Sequence, residues 1–562
     1  MTKNGRRQFL QKAGLLTTVA GLSYVAPAAA TTTSAQKTEK AEEGGKVFAS
    51  ANNAVADTRY GKVRGYTRNQ ILTFKGIPYG APTGGDNRFM PPERPKKWKD
   101  IRNCLVYGPI CPQKPDSGWL AQEYGFLFQW IDGFQDEDCL RLNVWTPALD
   151  GKKRPVMFWI HGGAFSSGSS QEQPCYDGEN LAKLGNVVVV SVNHRLNAYG
   201  FLDLSDYGSK YASSGNVGML DIVFALQWVS KNIGNFGGDK DNVTIFGQSG
   251  GGSKVITLMA MPAAKGLFHR AISQSNSIVQ MSTPAYARQI TQLVLADLQI
   301  TKDNIADLHK VNNERLQAAL DTANQKLSSK VPADVGRAGL QPVVDGKILP
   351  VHPFDPTAPA ISAGIPFMVG TCRNEASYSI NNPSLENLDD TGLAIKLAER
   401  FGNKAGRMVQ TLRTSHPNDK AVELYSYVSA QNSMAYLQAS RKAAQNAAPT
   451  FLYMFAWHTP QLDGRPRSFH CSELPFAFAN TDKAENYTGA IDEARALADK
   501  VANAWINFAR HGDPNHGGLP QWPAFSDDNG AMMVFNNTCE VQHDPDGESR
   551  KMLTRIFYNK EV

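Results

Sequence analysis

What this sequence lacks narrows its possible roles first. Only 7 cysteines stand among 562 residues. They form no Cys-x-x-Cys pair and no mixed Cys/His cluster, which argues against a metal site. Their number is odd, so at least one thiol stays free unless it pairs between chains. An excess of one charge sign is also lacking. The formal net charge is +6, but Lys3, Arg6, Arg7 and Lys12 supply +4 of it within residues 1–30, which hold no acid. A body left near neutrality gives no electrostatic ground for binding nucleic acid or an anionic membrane. No apolar run beyond the N-terminal segment is long enough to span a bilayer, and no internal repeat is visible.

The first thirty residues have the plan of an export signal. "NGRRQFLQKAG" sets two arginines before a moderately apolar stretch, Leu15 to Ala26, and the small-residue run "APAAA" follows. Charged, apolar and small-residue segments in that order read as a cleavable leader, with cleavage expected after Ala30. Arg6-Arg7 followed by Phe9-Leu10 resembles a twin-arginine signal, the bacterial route for chains exported already folded. A periplasmic or secreted location is therefore expected. Residues 31–48 are polar at the start and lack aromatics until Phe48, as in a disordered linker. The folded domain is expected over 49–562.

Within that domain, short apolar runs alternate with helix-length segments. "PVMFWI" (155–160), "NVVVVSV" (186–192), "VTIF" (243–246), "PFMVG" (366–370) and "FLYMFAW" (451–457) are almost continuously apolar. Such runs suit strands covered on both faces. Residues 220–233 and 494–515 carry apolar residues at helical spacing and end in glycine-rich turns. The alternation predicts an α/β fold with a mostly parallel sheet and helices on both faces. "TRYGKVRGYT" and "ILTFKGIPYG" predict antiparallel pairing near the start, while 280–340 and 380–445 are helix-rich insertions. Length alone would suggest two to four domains.

Two loops carry the candidate chemistry. "FGQSGGGSK" (246–254) fits Gly-x-Ser-x-Gly, three fixed positions that match many unrelated loops. Its context is more telling: Ser249 follows the buried run "NVTIF" and precedes "SKVITLMAM", which can form a helix. Strand, tight turn and helix are what a nucleophile elbow requires. Gly247, Gly250, Gly251 and Gly252 supply the small neighbours that a strained turn needs. In "FWIHGGAF" (158–165) a second buried strand runs into His161-Gly162-Gly163-Ala164. The N–H groups of Gly162, Gly163 and Gly250 could together form an oxyanion hole.

These blocks resemble the type-B carboxylesterases of the α/β-hydrolase fold, which include bacterial p-nitrobenzyl esterases and cholinesterases. The resemblance covers about residues 55–540 and also rests on "TFKGIPYGAPTGGDNRF", "EDCLRLNVWTP", "NHRLNAYGFL", "FHRAISQS" and "HCSELPFAF". It implies one continuous catalytic domain, with helical insertions over an active-site gorge. It further implies a Ser249, Glu375 and His470 triad: Glu375 lies in "PFMVGTCRNEAS" and His470 in "HCSELPF". Serine, acid and histidine then follow in the chain order of that fold. The implied role of His470 is to take the Ser249 proton, and that of Glu375 to hold the imidazole. A buried Arg88–Glu137 ion pair and a Cys111–Cys139 disulfide are implied in the same way.

The match has departures. Gln248 stands where many relatives carry glutamate, so attraction for cationic choline-like substrates is not expected. Trp130 is offset from the cholinesterase cation-binding tryptophan and reads as a packed core residue. His161 and His194 read as structural, and Cys471 as an inertly packed thiol. The reading is a serine carboxylesterase acting on a small-molecule ester, with no metal or organic cofactor implied. An acyltransferase or amidase could use the same triad, and some relatives on this fold are non-catalytic binding proteins. Specificity is expected in 280–345, 375–450 and the loop between Cys111 and Cys139.

Overall fold

The computed structural model describes residues 46–114, 117–332 and 335–558. The expected leader, 1–30, and nearly all of the linker, 31–48, lie outside them. Eight strands carry the centre of a 12-stranded sheet. They are β1 (Arg141–Thr146), β2 (Arg154–Ile160), β3 (Val188–Val192) and β4 (Gly238–Gln248), then β5 (Arg270–Gln274), β6 (Phe367–Cys372), β7 (Thr450–Phe455) and β8 (Ala531–Phe535). Their spatial order is β1-β3-β2-β4-β5-β6-β7-β8. All neighbours from β3 to β8 pair in parallel. Antiparallel strands close both edges.

The apolar runs became these strands because both faces of the sheet are covered. Every residue of β3, β6 and β7 is buried, so no polar alternation was needed. The helix Asp492–His511 lies against β2 and β4 on one side. Its first turn carries Asp492 and Glu493, its last Arg510 and His511, and Gly512 caps it in the left-handed region. Those charges complement the helix dipole at both ends.

Pairing near the start is antiparallel, split between two sheets. Val55–Thr58 and Gly61–Arg64 form a hairpin in a small three-stranded sheet, and Tyr66–Arg68 with Ile71–Pro78 joins the large one. Val47 and Phe48, assigned by composition to the linker, pair with Arg68 and Thr67 as an edge strand. Both side chains are exposed, so backbone pairing rather than burial orders them. The described residues, 46 to 558, fall within one compact unit, not the several domains that length suggests.

Topology sets the position of the site. The chain leaves β2 for β3 on one side and then crosses to β4 on the other. The strand order therefore reverses between β2 and β4, and a crevice opens at their carboxyl ends, the usual ligand position in such sheets. The Gly162 loop ends β2 and the Ser249 turn ends β4. Glu375 follows β6, and His470 follows β7 by a longer loop.

Candidate active site

Ser249 lies between β4 and the helix α1 (Gly250–Ala260) with φ 56° and ψ −121°. A side-chain-bearing residue adopts that conformation only where surrounding structure holds it. Here the Ser249 N–H donates to the Gln274 carbonyl at 2.8 Å, and the Ser249 carbonyl accepts from Ser253 N–H at 3.0 Å. Neighbouring backbone leaves no room for larger residues. A Cβ on Gly251 would stand 2.1 Å from the Ile160 carbonyl oxygen, and one on Gly250 would stand 2.3 Å from Ala164 Cα. The turn after β4 is thus pressed against the loop after β2. A Cβ on Gly162 would lie 3.6 Å from Ser249 Cβ. Among the described residues, the N–H groups of Gly162 and Gly163 donate to no protein acceptor. Gly250 N–H opens the first turn of α1, where helical geometry supplies no partner.

The His470 ring shares this cavity with Ser249, Gly162 and Gly163. Its Nδ1 is hydrogen-bonded to Glu375 Oε2. Glu375 lies behind the ring, buried, and Oε1 accepts from the Thr371 hydroxyl at 2.5 Å and Cys372 N–H at 2.8 Å. Thr371 and Cys372 end β6, so the sheet aims the carboxylate. Burial pulls the His470 imidazolium pKa down, but the charge and hydrogen bond of Glu375, with Glu473, outweigh it and leave it above 6.5. Glu473, from the same block as His470, is buried and accepts from Gln274 Nε2 at 3.2 Å and Cys372 Sγ at 3.0 Å. Burial and the nearby Glu375 raise its pKa. The sequence block showed Glu473 without marking it as a second buried carboxyl beside the imidazole.

Gln248 touches the same ring. Its Nε2 is 3.2 Å from His470 Nε2 and 3.4 Å from Nδ1. Nearly equal distances to two nitrogens on opposite sides of Cε1 place the amide over the ring face, not in line with either lone pair. A neutral dipole therefore lies where a glutamate would favour the imidazolium.

The cavity measures about 530 Å³. Its far wall comes from the segment between Cys111 and Cys139 and includes Trp119, Trp130 and Ile131. Trp130 corrects the core reading: it is half-buried, lines the cavity, and donates from Nε1 to the Trp119 carbonyl at 2.7 Å. Trp119 lies 6.2 Å from the His470 ring, centroid to centroid. No motif announced it, because the single helical turn that carries it, Ser117–Leu120, is too short to show a period. The expected Cys111–Cys139 disulfide is not formed. Both residues are buried free thiols, and the neighbouring Cys111 thiol together with burial raises the Cys139 pKa. Burial suits uncharged thiols as well as a bridge, and Cys111 Sγ accepts from Leu196 N–H at 3.3 Å. Cys471 lines the cavity, and burial pushes its thiol pKa well up, as an unreactive thiol requires. His161 and His194 are buried and stacked, with ring centroids 4.8 Å apart. The Arg88–Glu137 pair is present, with Nε donating to Oε2 at 2.8 Å.

A serine on a strained strand–turn–helix, a histidine–carboxylate pair and two free N–H groups define an α/β-hydrolase site of the serine-esterase kind. Comparison with known proteins agrees. The model of the carboxylesterase family matches residues 52–552. The para-nitrobenzyl esterase of Bacillus subtilis is 37% identical over 89% of this chain and 98% of its own. Phenmedipham hydrolase of Pseudarthrobacter oxydans is 30% identical, over 89% of this chain and 99% of its own. Among solved structures, a Clostridium hathewayi esterase that can hydrolyse aliphatic aromatic polyesters superposes with a TM-score of 0.78 at 35% identity, covering 91% of this chain and 99% of that one. The chain belongs to the carboxylesterase family and is a carboxylic ester hydrolase.

Proposed function

We propose that this enzyme hydrolyses small carboxylic esters through an acyl-enzyme on Ser249, with His470 as base and Glu375 as its orienting acid. One observation carries the assignment: the cavity that exposes the strained Ser249 also holds the only imidazole, among the cavity residues, that is tied to a buried carboxylate. In the first step the Ser249 hydroxyl adds to the ester carbonyl and its proton passes to His470 Nε2. The N–H groups of Gly162, Gly163 and Gly250 receive the oxyanion. The intermediate collapses, the ester C–O bond breaks, and His470 gives its proton to the leaving alcohol. Water repeats the sequence on the acyl-enzyme, releasing the acid and restoring Ser249.

Trp119, Trp130 and Tyr176 support esters with an aromatic portion, since flat apolar walls bury aromatic surface. The aryl and arylalkyl substrates named for the relatives fit such walls. Export through the twin-arginine-like leader, with cleavage after Ala30, belongs to the same proposal.

The test is turnover of p-nitrophenyl acetate and butyrate by the leaderless protein beside Ser249→Ala and His470→Ala. Each variant is expected to lose about 10⁴-fold or more in kcat. Folded variants that keep wild-type turnover would overturn the assignment. Added alcohols or amines that outcompete water for the acyl group would instead mark an acyltransferase.

A further inference from the structure

Lys254 is a lysine with no solvent. It lies on α1, five residues after Ser249, and its side chain is fully buried. A buried ammonium has to be matched by acceptors or lose its proton. No carboxylate forms an ion pair with it among the described residues. Its Nζ instead donates to the carbonyl of His161 at 3.0 Å and to that of Gly162 at 3.3 Å. These are not arbitrary carbonyls. The His161 C=O shares its peptide unit with the Gly162 N–H, and the Gly162 C=O shares its unit with the Gly163 N–H. One amine therefore grips, from behind, the two peptide groups whose N–H ends are free toward the cavity.

We infer that Lys254 is the positioning residue of the oxyanion hole, orienting and polarising the Gly162 and Gly163 peptides through their carbonyl oxygens. Hydrogen bonding at a carbonyl draws electron density through the amide and makes the N–H at its other end a stronger donor. As negative charge develops on the substrate oxygen, that polarisation gains value, so the effect falls on the transition state rather than on the bound ester. His161 Nδ1 also lies 3.0 Å from the Gly162 carbonyl, which gives that oxygen two polar neighbours.

The surroundings keep the amine responsive. Burial lowers its pKa to about 7, with Glu172 acting in the opposite direction. The groups facing it are Glu172, whose own pKa burial lifts to about 7, and the buried imidazoles of His161 and His194. The Lys254 charge helps to hold both imidazoles neutral, so neither competes as a cation. An oxyanion one peptide unit away favours the ammonium form, tightening both hydrogen bonds as the intermediate forms.

The inference rests on Ser249 as nucleophile, and its test separates the two. Lys254→Met removes the donor at nearly constant volume, and Lys254→Gln restores a neutral one. Fluorophosphonate labelling of the wild type is mapped first. Then kcat, KM and the affinity of a trifluoromethyl ketone, whose serine adduct places an oxyanion in the hole, are measured for all three proteins. Lys254→Met is expected to lower kcat about 10- to 100-fold, below the cost of losing a whole donor. KM should change by less than about threefold, since the ground-state ester gains little from the hole. Ketone affinity should fall in parallel with kcat, and Lys254→Gln should recover part of both. If Lys254→Met does not fold, Lys254→Gln against wild type carries the same comparison. A labelled wild type with full kcat and ketone affinity in the folded variants overturns this inference alone. No label on Ser249 overturns the nucleophile assignment and this inference with it.

Discussion

The two walls of the cavity are built on opposite terms. On one side, Ile160–Ala164 and Gln248–Gly252 meet backbone to backbone. A Cβ on Gly251 or Gly163 would stand within 2.1 and 2.2 Å of carbonyl oxygens, and Lys254 locks the assembly from beneath. On the other, the loop carrying Trp119 and Trp130 meets solvent, and Leu120, Phe126, Ile131 and Phe134 are exposed. The first wall holds peptide groups that every ester carbonyl would meet, so its geometry tolerates almost no change. The second presents side chains to the variable part of the substrate. Chemistry is written in close-packed backbone, and selectivity in a loop where side chains can change without disturbing the sheet.

Breaking the first wall should have the largest effect. Gly251→Ala pushes a methyl toward the Ile160 carbonyl and moves the elbow off the hole. We expect kcat to fall about 10²- to 10³-fold, with a lower thermal midpoint, measured by steady-state kinetics and calorimetry. Wild-type kcat in a folded Gly251→Ala protein would mean that the close approach does not hold the site.

A smaller effect probes the imidazole between the walls. His470 acts as base only when neutral, and Glu375 and Glu473 hold its pKa above 6.5 against burial. Activity should therefore fall as pH drops through a midpoint above 6.5. Gln248→Glu puts a carboxylate over the ring, favours the imidazolium, and should move this acidic limb up by about one pH unit. The pH dependence of kcat/KM checks it, and an unmoved limb would show that Gln248 does not sense the ring's charge.

The second wall should give the smallest change, and in a different parameter. Trp119→Ala or Trp130→Ala should raise KM for p-nitrobenzyl butyrate about tenfold, with kcat nearly constant and ethyl butyrate little affected. Equal losses for both esters would place these tryptophans in the shared chemistry instead.

The same contrast governs what could be read from the sequence. Strands buried on both faces announce themselves as apolar runs, so β2, β3, β4, β6 and β7 and the loops at their ends were legible, while β5, with Arg270, Ser273 and Gln274 among its five residues, showed no such run. Ser249, Gly162 and His470 follow from those strand ends and the family resemblance. Lys254 was not legible, because a lysine at helical spacing reads as a solvated surface residue until the helix is found fully buried. Trp130 misled for the complementary reason: irregular loops carry no periodicity from which a side chain's direction follows. The Cys111–Cys139 pairing came from resemblance alone, and proximity of two thiols is compatible with either redox state.

The central claim, Ser249 as nucleophile, meets its most direct test in peptide mapping after fluorophosphonate treatment. The account predicts one adduct on Ser249 in the leaderless protein, formed together with loss of p-nitrophenyl acetate hydrolysis, and none in Ser249→Ala. A folded, active enzyme that stays unlabelled, or that carries the adduct on another residue, would contradict it.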